Sequence, residues 1–251
     1  MLTEERQQKI LSLLEEKNIV KLHELTNALG ASESTIRRDL QELEDQQLLT
    51  RIHGGAKKIQ RLGVEPTMLE KTQKNATEKK AIAQQAVNQL HKNEVIYLDA
   101  GSTTYEMIPL LPTHFDLKVV TNSVKHAALL IDRQIATIII GGTIKLSTNA
   151  AMGSTSAQQL KQYRFNKTFL GMNGVEDHCG LTTPDPEEAA LKRLAIENSE
   201  QTFVLIDHSK FQQITFTQVA PLDSSITLIT DHVPDGYRSL YPETTIMEVK
   251  Q

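Results

Sequence analysis

Between positions 34 and 41 the sequence carries polar side chains that suit contact with base pairs and phosphates. At about 100° per residue around a helix, Ser34, Arg37, Arg38 and Gln41 fall on one face. Arginine can pair two donors with the O6 and N7 atoms of guanine, and glutamine can bind adenine in the same way. The hydroxyls of Ser34 and Thr35 can reach phosphate. This face predicts a DNA contact, and the alternative is the solvated outer face of a surface helix.

A second group of chemically capable residues follows the ends of five predicted strands. These strands are Val95–Leu98, Leu117–Val120, Ala136–Ile140, Lys167–Leu170 and Thr202–Ile206. The carboxyl ends of parallel strands lie at one edge of a sheet, where open α/β sheets bind ligands, so the loops that follow should converge. The residues predicted to bind a ligand there are Asp99, Gly101, Ser102, Thr103, Thr104, Thr121, Asn122, Ser123, Gly141, Gly142, Gly174, Glu187 and Lys210.

The residue types in these loops suit a phosphorylated polyol. Gly101 lets the backbone approach a ligand closely, and the hydroxyl and N–H groups that follow it open a helix, which is a ready anion site. Asp99 and Asn122 offer hydrogen bonds to sugar hydroxyls, and Lys210 offers a positive charge to phosphate. The alternative for each single loop is ordinary turn formation and helix capping, for which the same residue types are used.

A pair of acids at 187 and 188 has two interpretations. Pro186 suits the first position of a helix, and Glu188 stands four residues before Lys192, the spacing of a helical ion pair. The structural interpretation is therefore a helix start with a Glu188–Lys192 pair. The functional interpretation is a carboxylate, Glu187, that reaches the ligand.

Three helices are predicted to position the first polar face. Thr3 is the expected N-cap of the first, and Gly30 is the expected end of the second. Ser32 should cap the third helix, whose apolar side is formed by Ile36, Leu40 and Leu43.

The segment from Leu48 to Ala56 alternates apolar and polar residues and ends in paired glycines, which indicates a β-hairpin. Its polar side carries Arg51 and His53, which suits a wing lying along a DNA backbone or minor groove. Through residue 61 there are ten basic and ten acidic residues, so the placement of charge, and not net charge, must favour DNA.

The apolar period is lost after residue 58 and returns at Thr77. We therefore predict a first domain over 1–58, a connector over 59–76 and a second domain over 77–251. Strands and helices alternate in the second domain, which predicts an α/β fold with a largely parallel sheet.

Composition limits the class of protein. The 251 residues include 31 acidic and 27 basic side chains, and 39% are hydrophobic, which is typical of a folded globular chain and excludes a disordered one. The single cysteine, Cys179, excludes an internal disulfide and favours a reducing compartment. With neither a signal peptide nor a membrane-length apolar run in the sequence, we expect a cytoplasmic protein.

Two motifs close together in the first domain resemble the DeoR family of bacterial transcriptional repressors. They are Ser34-Thr35-Ile36-Arg37-Arg38-Asp39-Leu40 and Arg51-Ile52-His53-Gly54-Gly55-Ala56. The resemblance implies a winged helix-turn-helix that binds operator DNA, with Ser34, Thr35, Arg37 and Arg38 on the recognition helix. It also implies that Asp39 is structural and pairs with an arginine.

The resemblance continues through the second domain. It is carried by Asp99-x-Gly-Ser-Thr-Thr, Thr121-Asn-Ser, Gly141-Gly142, Lys167-x-Phe-Leu-Gly, Glu188-Ala-Ala-x-Lys192 and Asp207-x-Ser-Lys210. In the family this is a sugar-phosphate-sensing domain similar to ribose-5-phosphate isomerase and glucosamine-6-phosphate deaminase. The opening residues Met1 to Gln7 and the pair Lys57-Lys58 resemble fructose operon repressors of Gram-positive bacteria, which implies fructose 1-phosphate as effector. A lactose-type repressor that senses tagatose 6-phosphate is the nearest alternative.

The sequence favours a repressor that acts as a homodimer or homotetramer, and two other functions compete with this interpretation. A sugar-phosphate isomerase or deaminase needs a general base, for which Asp99, Glu187 and Asp207 are candidates. An enzyme of this kind has no need of a DNA-binding domain, so we expect none of its activity. A metal site at His178 and Cys179 finds no companion ligands at zinc spacing, and no cofactor is implied.

Overall fold

The computed structural model describes residues 2–59, 62–234 and 236–249, and the chain divides into two compact units, Met1–Arg61 and Leu62–Gln251. The first unit contains α1 (Thr3–Lys17), β1 (Ile19–Lys21), α2 (Leu22–Leu29), α3 (Glu33–Asp45), β2 (Leu49–Ile52) and β3 (Gly55–Lys58). Residues 60 and 61 of the predicted connector lie outside the described residues.

The boundaries of the second and third helices agree with their sequence signals. Gly30 adopts the left-handed conformation after α2, and the Ser32 hydroxyl accepts the N–H of Thr35 at the start of α3. The first helix begins one residue earlier than predicted. Leu2 and not Thr3 occupies the N-cap, because the Glu5 carboxylate accepts the N–H of Leu2 at 3.2 Å.

A small antiparallel sheet with the order β1-β3-β2 forms the predicted wing. The strand β1 was not predicted, because three residues are too few to display an alternating pattern. It pairs Val20 with Ala56, and this pairing explains a glycine. A Cβ atom on Gly55 would lie 2.2 Å from the carbonyl oxygen of Val20, so no other residue fits beside β1.

The helices of the first unit enclose an apolar core. Ile36, Leu40 and Leu43 are buried, which confirms the predicted inner face of α3. They pack in one cluster with Ile10 of α1 and Leu25 of α2. Removing this apolar surface from water is what stabilises the helices around the wing.

The second unit contains the remaining elements. Its helices are α4 (Met68–Gln73), α5 (Ala76–Val87), α6 (Ser102–Met107), α7 (Val124–Asp132), α8 (Ser154–Leu160) and α9 (Pro186–Glu197). Short 3₁₀ helices cover Ile108–Leu110, Thr113–Phe115, His208–Lys210 and Arg238–Leu240. The strands are β4 (Val95–Leu98), β5 (Lys118–Thr121), β6 (Ala136–Ile139), β7 (Thr143–Lys145), β8 (Ala150–Met152), β9 (Phe165–Gly171), β10 (Gly174–Glu176), β11 (Gly180–Thr183), β12 (Ser199–Leu205), β13 (Thr217–Ala220), β14 (Ile226–Thr230) and β15 (Thr245–Glu248).

A seven-stranded parallel sheet with the order β15-β14-β12-β9-β4-β5-β6 organises this unit. All five predicted strands belong to it, and the α/β prediction with a largely parallel sheet is confirmed. The sequence analysis missed β14 and β15. It also missed the antiparallel sheet β10-β11-β13 and the hairpin β7-β8. These segments lack the alternation of strand and helix on which the prediction depended.

Side chains of the parallel sheet alternate between two apolar layers. Ile96 and Leu98 face the layer that contains Ile82 of α5, and Tyr97 faces the layer that contains Leu191 of α9. Helices therefore cover both faces, so polar ligands can approach the sheet only at its ends.

The predicted connector contains structure of its own. Thr67 caps α4 by accepting the N–H of Glu70, while the Glu70 carboxylate accepts the N–H of Thr67. Residues 62–75 form part of the second unit. This helix buries one apolar residue, Met68, and so leaves no apolar period to recognise in the sequence.

Candidate functional site

The outer face of α3 carries four exposed polar side chains, Ser34, Arg37, Arg38 and Gln41. The side chain of Arg38 is 81% exposed, and its Nε atom lies 3.1 Å from Glu42 Oε1. Arg37 contacts Glu33 at 3.4 Å. Exposed ion pairs of this kind are worth little, so both guanidinium groups can be redirected to a ligand at small cost.

The wing adds to the same polar surface. Arg51 and His53 are exposed, and the Arg51 side chain donates a hydrogen bond to the side-chain carbonyl of Gln41 on α3. The backbone N–H of Arg51 donates to Glu44 at 2.8 Å. Thr35 is half-buried, and its hydroxyl lies 2.9 Å from the capping hydroxyl of Ser32. The structure therefore brings Arg51 of the wing to Gln41 of α3 and places Thr35 in the cap of the helix. His53 is exposed in the turn of the wing.

An ion pair behind this face fixes α3 to α1. Asp39 is 2% exposed and receives two hydrogen bonds from Arg6, of which Nη2 to Oδ1 measures 2.9 Å. The hydrogen bond that Arg6 donates to Asp39 raises the pKa of the Arg6 guanidinium. Asp39 is thus structural, as the resemblance implied. Its partner stands 33 positions away, a distance over which helical spacing gives no signal.

A charged pocket lies where the order of the parallel sheet reverses. From β4 the chain continues to β5 on one side, whereas β9 lies on the other side of β4. The loops after β4 and β9 border the crevice that such a reversal leaves at the carboxyl edge of a sheet. The pocket is lined by Lys71, Lys79, Asp99, Ala100, Gly101, Ser102, Thr103, Gly171, Met172, Asn173, Glu188, Lys192, Leu205, Ile206, Asp207 and Lys210.

Asp99 and Lys192 form a buried ion pair at the centre of this crevice. The Lys192 ammonium also donates to the Gly171 carbonyl at 2.8 Å, and the N–H of Gly171 donates to Asp99 Oδ2 at 3.2 Å. The loops after β4 and β9 are therefore tied together by one lysine from α9. Of the two interpretations given for the acids at 187 and 188, the structural one named an ion pair between Glu188 and Lys192. The Lys192 ammonium instead bonds to Asp99, and it acts on Glu188 as a nearby charge.

Glu188 has other partners. Its Oε1 atom accepts hydrogen bonds from the Thr148 hydroxyl at 3.0 Å and from Lys145 Nζ at 3.3 Å. Burial is the largest influence on this carboxyl and raises its pKa. Lys145 additionally contacts Asp185 at 2.8 Å and pairs with Glu65.

The third wall of the pocket follows β12. Asp207 accepts hydrogen bonds from the amide of Asn75 at 2.8 Å and from the Ser209 N–H at 3.0 Å. Burial alone would raise the pKa of Asp207, but the charge of Lys210 and the hydrogen bonds from the Ser209 hydroxyl and the Asn75 amide outweigh it and lower the pKa. Asp207 therefore stays ionised beside Lys210.

Lys79 is a pocket residue that the sequence analysis did not identify. Its side chain is buried, and the ammonium donates hydrogen bonds to the carbonyl of Lys74 at 2.6 Å and to that of Lys71. Burial is the main cause that lowers the pKa of Lys79 to about 8. A sequence signal was available, because Lys79 stands three residues before Ile82 on the apolar side of α5.

The chain matches two domain models of one protein family. Residues 6–61 match the DeoR-like helix-turn-helix domain, and residues 74–232 match the DeoR C-terminal sensor domain. The chain belongs to the DeoR family. The resemblance drawn from the two N-terminal motifs and the strand-end loops is thereby confirmed.

Relatives within the DeoR family match along nearly the whole chain. FruR, an uncharacterized HTH-type transcriptional regulator of Bacillus subtilis, is 45% identical over 249 residues, covering 99% of each chain. The lactose phosphotransferase system repressor of Staphylococcus epidermidis is 32% identical over 232 residues, covering 91% of this chain and 92% of the relative. Ribose-5-phosphate isomerase A of Methanocaldococcus jannaschii is structurally similar with a TM-score of 0.42, at 20% identity over 55% of each chain.

Of the predicted ligand residues of this DeoR-family sensor, Asp99, Gly101, Ser102, Thr103 and Lys210 line the pocket. The other predicted residues that follow β4 and β5 stabilise the loops around it. The Thr104 hydroxyl donates to the carbonyl of Asp99 at 2.6 Å. Asn122 accepts the N–H of Ala100 at 3.1 Å and donates to the carbonyl of Ala151 at 3.2 Å.

Thr121 and Ser123 serve the start of α7. Thr121 Oγ1 accepts the N–H of Ser123 at 3.1 Å, and Ser123 in turn accepts the N–H of His126 at 3.3 Å. Both side chains are buried. In these two loops, the capping alternative considered from the sequence describes the contacts that form.

The remaining predicted residues also have structural surroundings. The N–H of Gly141 donates to Gln159 at 3.0 Å, and Gly142 lies against Ser156. Gly174 is packed against the backbone of Gln213. Glu187 is exposed at the start of α9, whereas its neighbour Glu188 is the acid that lines the pocket.

An exposed turn between β10 and β11 brings two acids close to His178. The ligand atoms of Glu176, Asp177 and His178 lie within 4.8 Å of one another. The Glu176 carboxylate already accepts the N–H groups of His178 and Cys179, at 2.9 and 2.7 Å. It therefore closes the turn. Within the residues that the structure describes, no helix is both long and apolar enough to cross a membrane.

Proposed function

We propose that this DeoR-family regulator represses a fructose-utilisation operon and is released from its operator by fructose 1-phosphate. The exposed face of α3 and the wing would bind the DNA, and the pocket at the sheet reversal would bind the sugar phosphate. The observation that carries the proposal is the charge of this pocket, in which four lysines meet three carboxylates.

The DNA contact is supported by the exposure of the polar face. Among the described residues, Arg37 pairs with Glu33 and Arg38 with Glu42, each one helical turn away. Gln41 and Arg51 contact each other at the edge of the same face. These groups can exchange their present partners for base edges and phosphates without exposing any apolar surface. Asp39 and Arg6 would keep the helix in place while they do so.

The sugar phosphate is supported by the two kinds of group in the pocket. Lys79 and Lys210 supply positive charge, and the N–H groups of Ser102 and Thr103 stand in the first turn of α6, where they have no helical partner. Asp207 and Asn173 offer acceptors and donors to sugar hydroxyls. A phosphate would add a negative charge between Lys79 and Lys210 that an unphosphorylated sugar cannot supply, so phosphate should be required.

Release of the operator needs two arrangements of an oligomer. We propose a homodimer or homotetramer whose recognition helices reach half-sites about 34 Å apart, or a multiple of that distance. To empty the operator, the sugar phosphate must favour the released arrangement by several kcal/mol. Such a regulator would act in the cytoplasm, where the operator is.

The choice of sugar follows the resemblance to fructose operon repressors and the name of the relative FruR. The second candidate is tagatose 6-phosphate, because a lactose phosphotransferase system repressor is also a relative. An isomerase or deaminase activity is disfavoured. Asp99 is committed to Lys192, the pKa of Asp207 is lowered, and Glu187 is exposed at the start of α9, so the candidate bases are poorly suited to accept a proton.

The test is an anisotropy titration of a labelled promoter fragment from beside the gene. The protein should bind it at low salt, and fructose 1-phosphate should release it at lower concentration than tagatose 6-phosphate. Fructose should have no effect. Failure to bind the fragment would refute the operator, and release by tagatose 6-phosphate alone would select the second candidate. If NMR shows that the full chain converts either ester, the enzyme hypothesis is restored.

A further inference from the structure

The segment of residues 62–75, here called the strap, is the first part of the second unit. Polar contacts along its length attach the strap to the rest of that unit. The carbonyl of Leu62 accepts the N–H of Phe216 at 3.1 Å, and the N–H of Met68 donates to the carbonyl of Ser147 at 2.8 Å. Because the strap follows residue 61, it is also the route by which the chain enters the sensor from the DNA-binding unit.

Two of its attachments end on residues that line the pocket, Asp207 and Lys79. Lys71, on the strap, lines the pocket itself and pairs with Glu65 within the strap at 2.6 Å. Asn75 donates its amide to Asp207 at 2.8 Å. Lys79, just beyond the strap, closes the carbonyl end of α4. A molecule that fills the pocket therefore meets the same groups that hold the strap.

Lys79 has the most direct part in this arrangement. The last carbonyls of a helix have no partner within the helix. The Lys79 ammonium donates hydrogen bonds to two of the carbonyls at the end of α4, that of Lys71 and that of the C-cap residue Lys74. An ammonium group has three donors, and two are engaged by these neutral oxygens. Burial lowers the pKa of Lys79 more than the negative charge of Asp207 raises it. The surroundings of the ammonium therefore disfavour its positive charge.

We propose that Lys79 is an effector contact that couples the pocket to the strap, so that a phosphate group in the pocket draws the ammonium away from the carbonyls of Lys71 and Lys74. This inference rests on the proposed sugar-phosphate site. A carbonyl offers the ammonium only a dipole, whereas a phosphate offers a full negative charge, and the Coulomb attraction between unit charges is strong in a poorly solvated pocket, so phosphate wins the competition. The end of α4 then loses its cap, and the strap loosens.

The variant Lys79→Met removes the charge and keeps the length of the buried side chain. Its matched control is Lys80→Met, which removes an exposed lysine from the same helix. In the full-length protein, calorimetry with fructose 1-phosphate should show binding weakened at least about tenfold in Lys79→Met and unchanged in Lys80→Met.

Amide hydrogen exchange of residues 62–75 provides the second measurement. In the wild-type protein, exchange should accelerate when fructose 1-phosphate binds. In Lys79→Met it should be fast before any ligand is added, and in Lys80→Met it should follow the wild type. Unchanged exchange in a wild-type protein that binds the ester, or equal affinity of Lys79→Met and wild type, would overturn the inference.

A further variant separates loss of charge from loss of fold. Asn75→Gly removes the contact with Asp207 and suits the positive φ of 52° at this position. It should accelerate strap exchange and bind fructose 1-phosphate at least as tightly as the wild type, because coupling is reciprocal and a strap that is already loose no longer opposes binding. Weaker binding in Asn75→Gly would contradict the coupling. If the wild type binds no sugar phosphate, the proposed function fails by itself. Fast strap exchange in Lys79→Met would then still support the cap, and slow exchange would refute it.

Discussion

Replacing Arg38 by alanine separates DNA binding from folding. The side chain is 81% exposed, and its one described partner is Glu42, at 3.1 Å and one helical turn away. An exposed pair at this spacing contributes about 0.3–0.5 kcal/mol. Alanine has the highest helix propensity, which offsets part of that loss. The free energy of unfolding should therefore change by less than about 0.5 kcal/mol.

The effect on operator affinity should be much larger. Loss of a bidentate contact with a base costs about 1–3 kcal/mol, which corresponds to a Kd about 5 to 150 times higher. Anisotropy titrations should compare the promoter fragment with a scrambled duplex at two salt concentrations. If Arg38 contacts a base, Arg38→Ala should lose affinity for the promoter fragment and little for the scrambled duplex. If it contacts only phosphate, both affinities should fall together.

The matched control is Lys9→Ala, which removes one exposed positive charge from α1 of the same unit. It should bind the promoter fragment within about twofold of the wild type, since long-range attraction between exposed charges is largely screened by salt. The reasoning is refuted if Arg38→Ala binds the promoter fragment as the wild type does. It is also refuted if the loss of binding follows a loss of folded protein in circular dichroism.

Three further predictions concern the buried charges and the pocket. Arg6→Met leaves Asp39 buried without its partner and should destabilise the first unit by about 3 kcal/mol in urea unfolding, whereas a second change, Asp39→Leu, should recover most of the loss. Ser102→Ala and Lys210→Ala should bind the promoter fragment normally but need more fructose 1-phosphate for release, and normal release in both would exclude them from the site. The folded-state pKa of Lys79 is about 8 and the ordinary value is 10.5, so the unfolded chain binds more protons between these values. Stability should therefore rise with pH across this window, and Lys79→Met should abolish that part of the rise in urea titrations.

Local patterns in the sequence were sufficient for the recognition helix and for the main strands. The cap at Ser32, the apolar row of Ile36 and Leu40, and the polar row beside Arg38 all lie within a few residues of one another. The carboxyl ends of parallel strands likewise meet by a rule of topology, which brought Asp99 to the pocket. Contacts of this kind follow from the spacing of apolar residues along a helix and from the parallel direction of the strands, and both can be recognised in the sequence.

Contacts between distant segments were not accessible in this way. Lys192 pairs with Asp99 across 93 positions, and neither residue type indicates the other. Thr104 and Asn122 show a different limit. Hydroxyl and amide side chains satisfy backbone groups in turns as readily as they bind sugars, so residue type alone could not separate the residues that line the pocket from those that support it.

The close approach of Gly55 to the carbonyl of Val20 bears on how loss of repression would arise genetically. Any larger residue at 55 would force β1 away from the hairpin that carries Arg51 and His53. A screen for constitutive expression should therefore recover substitutions of this glycine together with those on α3. Such alleles would map to a position without a side chain, and their defect would lie in the shape of the wing.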